Sequence, residues 1–195
     1  MTTDETGDAV PDWDDEYLDR VSDRLMHHYD LERDRTVEGE RFDLYGQLHV
    51  ENQKQFLHPS INFANHETHE HLFARRQDAV STADFDHLVE LGHALADEWV
   101  TPDETHQGTD FTFVLVVPTF DEAVRSHVEG FSERTLLKYG YYGHYELNLA
   151  VVAPDRRAVA ASENADVARA FALWDDPTPA DSPGFLGRLA RAFKP

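Results

Sequence analysis

The chain of 195 residues sets 38 acidic side chains against 17 basic ones, a formal charge of −21. That balance argues against nucleic acid as a partner, since such binding needs a basic footprint and the body of the chain has no Arg or Lys cluster. With no Cys there are no disulfides, thiolate metal centres or Cys nucleophiles, and no apolar run approaches the roughly 20 residues that cross a bilayer.

Residues 1–11 read as a disordered acidic tail, with neither the positive charge nor the apolar stretch of a signal peptide. The expectation is a cytoplasmic protein. Twelve Phe, seven Tyr and three Trp supply a core for one domain, expected over residues 12–175. From Trp13 to about Asp34 the positions Trp13, Tyr17, Val21, Leu25 and Tyr29 recur every four residues, which predicts an amphipathic helix. Phe42, Leu44, Gly46, Leu48 and Val50 alternate with polar residues and predict a half-buried strand. Phe56 to Phe63 reads as a weaker strand interrupted by Pro59, whereas residues 64–80 fit no pattern.

Ser81 and Thr82 offer an N-cap for a helix to about Val100, with Phe85, Leu88, Gly92, Leu95 and Trp99 on its buried face. The continuous apolar run within Thr109 to Val117 predicts a strand covered on both faces. A short helix is expected from Phe120 to Gly130, and strands from Leu136 to Ala153, with a hairpin to Val159 through Pro154-Asp155-Arg156-Arg157. Ser162 is expected to cap a last core helix carrying Val167, Phe171 and Trp174. A Pro-rich linker (176–183) and a short basic amphipathic helix (184–195) follow. The fold class expected is α+β, a mixed but mainly antiparallel sheet of five or six strands with helices packed on it.

Three constellations carry chemistry. In NHETHEHLF (65–73), His66, His69 and His71 alternate with Glu67 and Glu70, and imidazole binds divalent transition metals well. On a strand His69 and His71 share a face with Glu67; on a helix His66 lies beside His69. The segment is one residue short of the metalloprotease pattern H-E-x-x-H. It reads either as an exposed polar loop or as a metal site, in which Glu67 or Glu70 serves as base to a metal-bound water.

The run Tyr139 to Tyr145, with Gly140 and Gly143, reads as a twisted strand or as a pocket using Tyr141, His144 and Tyr145. In the final helix Phe185, Leu186, Leu189 and Phe193 form an apolar stripe, and Arg188, Arg191 and Lys194 a basic face. It either docks on a protein partner or membrane surface, or folds back on its own domain.

The segments DFDHLVELGHALADE (84–98), TDFTFVLVVP (109–118), LLKYGYYGHYELNLAVVAPD (136–155) and SENADVA (162–168) resemble a family of haloarchaeal proteins of unknown function. That resemblance implies one α/β-type domain and assigns no catalytic residues. The acidic, Cys-free composition, with only Lys54, Lys138 and Lys194 as lysines, fits a protein of molar salt. The functional expectation is a halophilic binding or interaction module with a C-terminal docking helix. The alternative is a metal-dependent enzyme or metal-binding protein built on His66, His69 and His71.

Overall fold

A computed structural model describes residues 11–52 and 66–175. Among the described residues seven strands form one mixed sheet, more than the five or six expected. β1 (Asp30–Val37), β2 (Glu40–Asn52) and β3 (His66–Arg76) are successive antiparallel neighbours. Helix α2 (Thr82–Trp99) carries the chain over, so that β4 (His106–Val116) runs parallel to β3. Helix α3 (Glu122–Glu129) and the short strand β5 (Glu133–Leu136) lead to β6 (His144–Ala153), parallel to β4. β5 and β7 (Ala158–Ala161) pair antiparallel with β6, β5 along its first half and β7 along its second. The tail, the weak strand at Phe56 to Phe63, the linker and the final helix lie outside the described residues.

Strand alternation sorts the core into two layers. Phe73, Phe111, Phe113, Leu147 and Leu149 face α2 and α3, where they meet Phe85, Leu88, Leu95 and Val128. Leu44, Leu72, Val114, Val116, Ala150 and Val152 face the other side and meet Leu18, Val21, Leu25 and Phe171. Helix α2 lies close on its face because Gly92 carries no side chain. A Cβ there would sit 2.8 Å from a Leu147 methyl and 3.1 Å from the Phe113 ring.

Several expected boundaries shift for identifiable reasons. Helix α1 (Glu16–Leu25) is much shorter than the predicted 13–34. The Asp15 carboxylate caps it, accepting from the Tyr17 and Leu18 amides. Its last turn gives way to β1, whose positions are mostly solvent-facing and so lack the apolar alternation that signals a strand.

The Tyr-rich run is mainly a loop. Lys138 and Tyr139 adopt positive φ, and Tyr139 and Tyr141 are 95% and 84% exposed. Ser162 does not cap a helix: its hydroxyl accepts from the Leu149 amide at 3.1 Å and locks the β6–β7 hairpin. The last helical segment is a 3₁₀ turn, Asp166–Phe171, preceded by Ala165.

Candidate functional site

On the α2 side of the sheet, where β2, β3 and β4 meet the end of α2, lies a cavity of about 480 Å³. Its walls include Tyr45, His71, Trp99, His106 and Thr109, with Arg35 also on its lining. His71 is stacked on Phe111 at 5.2 Å between ring centroids and meets the edge of Trp99 at 5.1 Å. Its Nδ1 shares a 2.8 Å hydrogen bond with the Tyr45 hydroxyl. Burial pushes the His71 imidazole down to about 4, with His69 and Arg35 adding to the effect, so the ring is neutral. Burial likewise pushes the Tyr45 phenol up to about 12.

His106 is fixed by a different device. Its Nδ1 lies 2.7 Å from the Tyr142 carbonyl, which can only accept, so Nδ1 donates; in the neutral ring Nε2 then accepts from the Thr109 hydroxyl at 2.9 Å. The Asp103 carboxylate holds the entry to β4 by accepting from the Thr105 amide, the Thr105 hydroxyl and the His106 amide. Strict alternation would put His106 on the opposite face from Thr109. The β3–β4 register slips by one residue between Glu67 and Thr68, and this bulge turns His106 into the cavity. No sequence pattern marks that slip.

Arg35 is the cationic group on the lining. Its guanidinium lies 4.9 Å from the Tyr45 ring centre and pairs with Glu32 at 2.6 Å. Glu32 is 52% exposed, and an exposed pair of this kind contributes about 0–1 kcal/mol, so Arg35 can change partner at little cost. A second cleft, of about 540 Å³, lies beside α1. Its guanidinium groups are committed to the fold: Arg33 to Asp14 and Asp34, Arg41 to Asp34, and Arg76 to Asp15.

The structure divides the residues singled out from sequence. His69 and His71 both line the cavity. The backbone of His66 pairs with Asn52 at the start of β3. Tyr141, His144 and Tyr145 do not come together. Tyr141 lies in solvent, and Tyr145 points to the α2 face, where its hydroxyl is 2.9 Å from His93 Nδ1. His144 turns to the other face, beside Asp110 and Glu146. Phe185, Leu186, Arg188, Leu189, Arg191 and Phe193 lie outside the described residues.

A mixed sheet with helices on each face defines an α+β fold, and a ring-lined cavity opens on one of those faces. The chain belongs to the family described as a domain of unknown function (DUF8052), which it matches over residues 14–173. No curated protein and no solved structure is similar to it at a significant level. No helix among the described residues is long and apolar enough to cross a membrane.

Proposed function

We propose that the protein binds a small, flat, acidic molecule in the cavity walled by Tyr45, His71, Trp99 and His106. The observation that carries this reading is a set of four rings, each fixed by packing or hydrogen bonds, around a volume within the usual range for ligand sites. Flat aromatic walls favour a planar ligand, and Arg35, set against the Tyr45 ring and paired with the exposed Glu32, offers a bidentate partner for a carboxylate or phosphate.

A metal on His66, His69 and His71 is the second reading, favoured by the fact that His69 and His71 line the same cavity and that Tyr45 orients the His71 ring through Nδ1. Adaptation to molar salt, with the −21 charge screened by the medium, belongs to the same proposal.

Ligand-observed NMR against aromatic carboxylates and nucleoside monophosphates, on the full chain in molar KCl, tests it. At least one compound is expected to saturate a single site. Arg35→Gln is expected to weaken it about tenfold or more, the worth of one hydrogen bond to a charged group. Silence across the panel, or binding indifferent to Arg35→Gln and Trp99→Leu, overturns the reading.

A further inference from the structure

A second polar cluster occupies the opposite face of the sheet and takes no part in the cavity. The register sets Glu70 of β3, Asp110 of β4 and Glu146 of β6 in one row. Three carboxylates therefore stand on neighbouring strands about 4.8 Å apart, each only 3% exposed. The repulsion among carboxylates held this close is eased in part by Tyr29, whose hydroxyl donates to Glu70, and by Arg134 beside Glu146, and a cation among them would ease it further.

The next row toward the strand starts is Thr68, Gly108 and His144. Gly108 leaves a space that the His144 ring fills: a Cβ there would lie 3.1 Å from its Cε1 and 3.3 Å from its Nε2. The imidazole thus leans across β4 toward Thr68. One ligand atom from each of Asp110, His144 and Glu146 lies within 4.8 Å of the other two. Two ligands on opposite sides of an ion with bonds of about 2.1–2.4 Å stand about 4.2–4.8 Å apart.

An observation independent of the charges points to the same place. The Thr68 hydroxyl, 3% exposed and on the same face as Glu70, has no hydrogen-bond partner among the described residues. A buried hydroxyl left so costs about 1–3 kcal/mol, which a ligand at the site would recover.

We infer that Asp110, His144 and Glu146 bind one divalent first-row transition ion, with Thr68 as a further oxygen donor. Imidazole in the set selects for that class over Mg²⁺ and Ca²⁺, which take oxygen ligands. Glu146 is oriented from outside by Arg134, whose Nη2 and Nε donate to Oε2 at 2.6 and 2.9 Å, and by Asn164, which donates to Oε1 at 2.5 Å. These donors fix the orientation of the Glu146 carboxylate from the side away from β4.

Calorimetry with Zn²⁺ and Mn²⁺ on the full, tag-free chain tests the site, with Ca²⁺ as the contrasting ion. A single ion per chain is expected, with Ca²⁺ weaker. Asp110→Asn and His144→Gln are each expected to weaken binding about 100-fold or more, and Arg134→Gln about tenfold. His69→Ala, on the cavity side, is expected to leave it unchanged, which separates this site from the ligand cavity.

No Zn²⁺ or Mn²⁺ uptake by the folded wild type overturns the inference, as does uptake kept in Asp110→Asn but lost in His69→Ala. If either site variant fails to fold by circular dichroism, Co²⁺ added to the unaltered chain decides. A visible band of nitrogen and oxygen coordination is expected, and its absence overturns the site.

Discussion

His71 has the farthest-reaching consequence of any single side chain in the cavity. Its imidazole is held near 4 in the fold against an ordinary 6.5, so below neutral pH the unfolded chain takes up a proton that the folded one refuses. The stability it permits is complete above the unfolded value and falls as pH drops from about 6.5 toward 4, by up to about 3 kcal/mol. His71→Phe preserves the stack on Phe111 and removes the titration, but leaves the Tyr45 hydroxyl without this partner. The variant is expected to lose about 1–3 kcal/mol at pH 7. Urea unfolding at pH 7 and about pH 5 is expected to show a smaller acid loss than in the wild type. An equal loss in both proteins would show that His71 titrates normally. Tyr45→Phe, which strips the hydrogen bond while keeping the ring, is expected to cost about 1–3 kcal/mol at pH 7.

At the scale of elements, α1 depends on one carboxylate. Asp15 caps the helix and also pairs with Arg76 of β3. Burial works to raise its pKa, but Arg76 and the Leu18 and Tyr17 amides outweigh that and hold it below the usual carboxylate range. Asp15→Ala is expected to cost about 1–2 kcal/mol and to lower the melting midpoint by about 3–6 °C, measured by circular dichroism. Asp15→Asn, which can still cap but not pair, is expected to recover part of it.

Elements with a single buried stripe were legible in the sequence. Leu88, Leu95 and Trp99 mark α2, and the apolar run of β4 marks a covered strand. β3 was not legible, because its first half is polar on both faces. His69 and His71 serve one side while Thr68 and Glu70 serve the other, and period-two reasoning needs an apolar face to find. The His cluster stands out for its chemistry, but the separation of His69 and His71 from Glu70 across the sheet depends on β3 being a central strand. The row Glu70–Asp110–Glu146 lies farther still from local reading, since three segments must align in register before it exists.

The whole molecule carries a charge of −21, and its stability is expected to depend on ionic strength. Raising KCl from about 0.1 M to about 1 M shortens the Debye length from about 10 Å to about 3 Å and damps repulsion among the acidic groups. The melting midpoint is expected to rise steadily over that range in a thermal scan. A flat profile would remove the argument for adaptation to molar salt.

β1 lies at one end of the sheet, where Arg33 pairs with Asp14 and Asp34, Arg35 with Glu32, and Asp34 holds a positive φ. An open strand edge is a template on which further chains can polymerise, and charged, irregular strands resist that growth. β1 thereby resists fibril growth from this edge even at ionic strengths where the long-range repulsion between copies is screened.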